Sequence, residues 1–144
     1  MEIRLDSKLA LVTGASSGIG QGIAEALAAA GADVAINYRT NEAGAEETAR
    51  RVRACGRRAM TIQADVGDPD QVDAMFRQLD EAWGVIDILV ANAGHGSADK
   101  PLHETTWNEW DRVLRSNLHG PFLCGREAAR RMVDRGAGGR MDGA

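Results

Sequence analysis

Thr13-Gly14-Ala15-Ser16-Ser17-Gly18-Ile19-Gly20 decides how the rest of this chain is read. A short apolar run, Lys8 to Thr13, leads into it, and an amphipathic stretch follows. Strand, glycine turn and helix in that order form the context in which such a loop holds a phosphate. Glycine lets the backbone turn tightly and approach a pyrophosphate closely. The helix beyond it offers free N–H groups and the positive end of its dipole. Ser16 and Ser17 add hydroxyl donors. The spacing is G-x-x-x-G-x-G rather than the more general G-x-G-x-x-G. The other reading is a glycine-rich turn without a ligand.

Working outward, the same unit repeats: apolar strand, turn, amphipathic helix, glycine stop. From Gly18 to Ala30 the residues Ile19, Ile23 and Leu27 recur at i, i+4, i+8 and predict one helical stripe, ended by Gly31. Ala32 to Tyr38 reads as a second strand, Asn41 to Cys55 as a helix stopped by Gly56, and Arg58 to Ala64 as a third strand. Asp68-Pro69 opens a helix as N-cap and first residue, with a stripe of Val72, Met75, Phe76, Leu79 and Trp83. Val85 to Ala91 is the most apolar run and predicts a strand buried on both faces. After a loop from Gly94 to Thr105, Thr106-x-x-Glu109 is a capping box for a last helix reaching about Arg135. Alternating strands and helices predict an α/β chain: a Rossmann-like three-layer αβα fold with a parallel sheet in the order 3-2-1-4. The whole of 1–144 reads as one domain, with a frayed glycine-rich tail at 136–144.

The composition fits a globular chain with 44% hydrophobic and 26% charged residues, too many apolar groups for disorder. The net charge of -4, with arginines scattered through helices, argues against nucleic acid as a partner. Arg50, Arg51, Arg53, Arg57 and Arg58 form the densest basic run, read as a solvated helix end. No apolar stretch is long enough to span a membrane and no secretory signal stands at the N-terminus, so a cytoplasmic location is expected. Cys55 and Cys124 are expected to be free thiols. His95, His103 and His119 show no metal-ligand spacing, and no metal site is expected.

The T-G-x-x-x-G-I-G loop resembles the cofactor loop of the short-chain dehydrogenase/reductase family. Asn92-Ala93-Gly94 and Asn117-Leu118-x-Gly120 resemble two further motifs of that family, in matching order. Asn37-Tyr38-Arg39-Thr40 and the run Asn117 to Ala128 are particularly similar to bacterial glucose 1-dehydrogenases. The resemblance implies a nicotinamide-dependent oxidoreductase that moves a hydride to or from an alcohol or carbonyl substrate, with a sugar such as glucose as one candidate. It implies cofactor-binding roles for Gly14, Ser16, Ser17, Gly18, Ile19 and Gly20. The same holds for Arg39, Thr40, Asp65, Val66, Asn92, Ala93 and Gly94. Asp65 would meet the adenine amino group, Val66 would back the ring, and Asn92 would also brace the sheet; the other reading of Asp65 is a turn at the start of the next helix. Intact members would be homo-oligomers.

The end of the second strand bears on which cofactor is taken. An acid there would favour NAD, whereas this chain has Tyr38-Arg39, and arginine pairs a 2′-phosphate bidentately. NADP is therefore expected, with NAD as the alternative. A methyltransferase on a similar sheet would usually want an acid at the same place.

Asn117 is the one catalytic candidate. Pro121 lacks the N–H that would bond its carbonyl, so a kink is expected there and the Asn117 carbonyl is left free. In the family the matching carbonyl holds a water in the proton relay. The family's serine and its Tyr-x-x-x-Lys pair find no counterpart: the only tyrosine is Tyr38, and the only lysines are Lys8 and Lys100. The sequence therefore reads as truncated before a fifth strand, inactive on its own, with a non-catalytic nucleotide-binding fragment as the alternative to an enzyme. The last strand would then be an edge, and Leu118, Phe122 and Leu123 would be partly exposed.

Overall fold

The computed structural model describes residues 3–96 and 100–137. Four parallel strands form one sheet in the order β3-β2-β1-β4, the predicted order. They are β1 (Leu9–Val12), β2 (Asp33–Tyr38), β3 (Ala59–Gln63) and β4 (Ile88–Val90). Between them run α1 (Gly18–Ala29), α2 (Glu42–Ala54) and α3 (Pro69–Ala82). After β4 come a 3-10 turn (Leu102–Glu104), α4 (Trp107–Leu114), a π turn (Arg115–His119) and α5 (Gly120–Ala137).

Side chains alternate across the sheet and set the three layers. Val12, Val34 and Ile36 pack with Ala24, Ala28, Ala49 and Val52 of α1 and α2. Leu11, Ala35 and Ile62 face the other way, onto Val72, Phe76 and Leu79 of α3 and Leu123 and Ala128 of α5. The predicted caps are in place. Asn41 accepts from the Gly44 N–H, Asp68 from Asp70 and Gln71, and Thr106 and Glu109 close the capping box of α4.

Several expectations are corrected. The buried stripe of α1 is Gly20, Ala24 and Ala28, one residue beyond the predicted one; Ile19 is 77% exposed. Small residues bring α1 close to the sheet, and Ile23 and Leu27 flank that contact half-buried. β4 is shorter than Val85 to Ala91 and is half-buried throughout, because β1 is its only neighbour among the described strands. Leu118 and Phe122 are exposed as expected, but Leu123 is buried, since it turns inward onto the α3 layer. The basic run is not simply solvated: Arg50 and Arg51 pair with Glu47, Arg53 with Glu46, and Arg57 and Arg58 clamp the buried Asp33. Of the tail expected to fray, Gly136 and Ala137 still end α5, and 138–144 lie outside the described residues. Cys55 is exposed and Cys124 buried, both free, and burial pushes the Cys124 thiol up to about 12.

Candidate nucleotide-binding site

The chain reverses direction of winding at β1, whose neighbours β2 and β4 are reached on opposite sides. A crevice opens outside the carboxyl ends of strands at such a point. The glycine loop between β1 and α1 lies there. Gly14 and Gly18 adopt φ of 61° and 56°, a region that side chains disfavour. A Cβ on Gly14 would stand 2.7 Å from the Ala93 Cα, and one on Gly20 would stand 2.5 Å from the Asn92 Nδ2. The loop is thus pressed onto the segment after β4, and glycine alone permits it. At Gly18 a Cβ would meet nothing, so that side of the loop is open.

Polar side chains fix the loop from below. Asn92 donates Nδ2 to the carbonyls of Thr13 and Gly14, at 3.0 and 3.1 Å. The Thr13 hydroxyl accepts from the Asn92 and Ala93 N–H groups. The predicted bracing role of Asn92 is therefore present. Sequence reasoning missed Asn37, which is buried at the end of β2. Its Oδ1 accepts from the Gly14 N–H at 3.2 Å, and its Nδ2 donates to the carbonyls of Ile62 and Ala64. One side chain thereby links the loop to β3. The available signal was a polar residue inside the run Asp33-Val34-Ala35-Ile36-Asn37-Tyr38, since a buried amide is kept where it is bonded. Thr48 of α2 was missed too; its hydroxyl lies 2.8 Å from the Ala15 carbonyl.

The first turn of α1 has neither a side-chain cap nor an acidic residue. Its N–H groups and dipole end are free to take an anion. A cleft of about 220 Å³ lies in front of it, lined by Gly14, Ser16, Ser17, Asn37, Arg39, Thr40, Asp65, Val66, Asn92, Ala93 and Gly94, among others. Most of the predicted cofactor residues are brought together here. Gly18 and Ile19 stay exposed at the rim, and Gly20 is buried beneath the loop. Asp65 serves its own turn, accepting from the Gly67 N–H at 2.9 Å, and also lines the cleft. A donor-rich loop, an uncapped helix start and an open cleft fit a dinucleotide's phosphates and adenosine.

Arg39 reaches across the cleft mouth. Its Nη1 lies 2.8 Å from His95 Nε2. Guanidinium can only donate, so Nε2 accepts and the ring is neutral with its proton on Nδ1. Burial first, then the charges of Arg39 and Arg112, hold the His95 imidazole below its ordinary pKa.

Helix regularity fails where the proline predicts. The Gly120 N–H bonds the Arg115 carbonyl, five residues back, giving the π turn that carries Asn117. The Asn117 side chain grips the segment after β4: the His95 N–H donates to Oδ1 at 2.7 Å, and Nδ2 donates to the His95 carbonyl at 2.9 Å. A Cβ at Gly120 would stand 2.7 Å from Val66 Cγ2, so glycine lets α5 start against that wall of the site. Among the described residues no three His, Cys, Asp or Glu are grouped to hold a metal, and no helix is long and apolar enough to cross a membrane.

The family model described as short chain dehydrogenase matches residues 8–141. A short-chain type dehydrogenase/reductase from Picea abies is 44% identical over 144 residues, covering 95% of this chain and 53% of that protein. A Burkholderia cenocepacia short chain dehydrogenase, solved in complex with NADP, is 43% identical with a TM-score of 0.84, covering 89% of this chain and 52% of that one. An L-sorbose reductase from Gluconobacter frateurii, solved with NADPH and L-sorbose, is 31% identical with a TM-score of 0.87, over 94% and 51%. The chain spans about half the length of the relatives it matches. The Rossmann-like sheet, the glycine-loop cleft and these likenesses agree: the chain belongs to the short-chain dehydrogenase/reductase family.

Proposed function

We propose that this chain is the nucleotide-binding half of an NADP-dependent oxidoreductase acting on an alcohol or carbonyl substrate, with a sugar such as glucose as a candidate. One observation carries the reading: the glycine loop, the uncapped start of α1 and Arg39 converge on a single cleft. The loop N–H groups and the Ser16 and Ser17 hydroxyls would hold the pyrophosphate. Asp65, Val66 and Thr40 would hold the adenosine end, and Arg39 its 2′-phosphate. Ala93 and Gly94 would lie along the ribose, with Asn92 keeping them in place. The bound nicotinamide supplies the hydride chemistry. Asn117 would place its backbone carbonyl to hold a water for proton transfer, its side chain locking that turn to His95. The cytoplasm is the proposed location, in keeping with two unpaired thiols.

A second reading concerns the 144 residues by themselves: a nucleotide-binding unit that does not turn over. It is favoured by the absence of any Tyr-x-x-x-Lys and by the use of Tyr38, the only tyrosine, as a buried part of β2. Titration with NADP+ and NAD+, followed by absorbance with NADP+ and glucose, tests both. NADP+ is expected to bind more tightly than NAD+, and Arg39→Ala to remove about tenfold of that preference, the scale of one charged hydrogen-bonded contact. Equal weakening of both cofactors would contradict the role of Arg39, and steady turnover would contradict the second reading.

A further inference from the structure

Beside the glycine-loop cleft lies a second one of about 360 Å³, sharing Arg39, Asp65, His95 and Ser116 with it and adding Arg112 and Arg115. Arginines in this chain almost always have a carboxylate. Every other described arginine has one within 3.8 Å. Arg39 and Arg112 have none among the described residues, and both line this one cleft.

The carboxylates in the same cleft have other work. Asp65 accepts from the Gly67 N–H, and Asp68 caps α3 through the Asp70 and Gln71 N–H groups and the Gln71 side chain. Arg115 is held by Asp111 at 2.7 Å. His95, the acceptor of Arg39, lines the same cleft, and its imidazole feels the positive charge of both unpaired guanidiniums. Two cations facing one solvent-filled cleft repel each other, and a doubly charged anion relieves that repulsion while accepting from both.

We infer that Arg112, on α4, is a second residue reading the 2′-phosphate of NADP, together with Arg39. The inference rests on the NADP reading above and adds a specificity residue from a different element. Arg39 follows β2 and Arg112 belongs to α4, so two separate elements of the cleft lining would hold the phosphate.

The test measures dissociation constants of NADP+ and NAD+ for the full chain and for Arg39→Gln, Arg112→Gln, Arg112→Lys and the double Gln variant, at low and at physiological salt. Arg112→Gln is expected to lower the NADP+ to NAD+ affinity ratio about tenfold, the effect of one charged phosphate contact. Arg112→Lys keeps part of it, because the charge remains and the fork is lost. The ratio is expected to fall with salt in the wild type and less so in the double variant. A wild-type ratio in both Arg112 variants, with Arg39→Gln still lowering it, overturns this inference and leaves the NADP reading standing. No NADP+ preference in the wild type overturns both.

Discussion

Asn37 is the residue on which the cleft's geometry most depends. It is 1% exposed and bonds Gly14 on one side and the carbonyls of Ile62 in β3 and Ala64 just after it on the other. Removing a buried partner leaves the opposite groups unsatisfied, at about 1–3 kcal/mol. Asn37→Ala is therefore expected to lower the unfolding free energy by that amount and to weaken nucleotide binding by loosening Gly14. Urea denaturation and a nucleotide titration check the two effects; a variant with wild-type stability would contradict the account. The glycines were legible because their spacing is a pattern in one dimension. Asn37 was not, because its value comes from partners 23 to 27 residues away. The Arg39 to His95 contact was hidden for the same reason, its members being 56 positions apart. Ile19 misled because periodicity fixes a helix's apolar spacing but not its phase against a sheet when alanine and glycine make the contact.

Elements were read more reliably than residues because caps are local chemistry. Thr106-x-x-Glu109 predicted the start of α4, and both halves of the box are present. Lys100, with the Thr106 N–H and hydroxyl, holds the Glu109 carboxyl down to about 2 from its ordinary 4.5. A carboxylate whose folded pKa lies below its unfolded value contributes stability above the unfolded value. That contribution is lost as pH falls through the folded one. The stability difference between wild type and Glu109→Gln is accordingly expected to be full above about pH 4.5 and to vanish towards pH 2, read from denaturation midpoints at each pH. A difference that grew with acid would contradict the pairing. The π turn at Arg115–His119 was foreseen only as a proline kink. Sequence names the missing donor at Pro121, whereas the way the helix absorbs the loss depends on Asn117 finding His95 and on Gly120 settling against Val66.

At the scale of the molecule, four parallel strands with two-sided helical cover give one continuous cleft wall at their carboxyl ends. Strand order was legible because right-handed crossovers leave few ways to arrange repeating strand–helix units. The burial of β4 was legible only in part: its apolar run suggested two covered faces, whereas its place at the sheet edge among the described strands, also expected, leaves it half-buried. Its residues are half-buried, and Leu118, Phe122, Trp107 and Trp110 are exposed on α4, the π turn and α5. The central claim, that the loop from Thr13 to Gly20 with its neighbours forms a dinucleotide cleft, is tested most directly by amide chemical shifts during titration with NADP+. The account predicts saturable shifts at Gly14, Ser16, Ser17, Thr40, Asp65 and Asn92 to Gly94, with the buried amides of α3 and α5 left in place. No saturable shift, or shifts confined to α3 and α5, would contradict it.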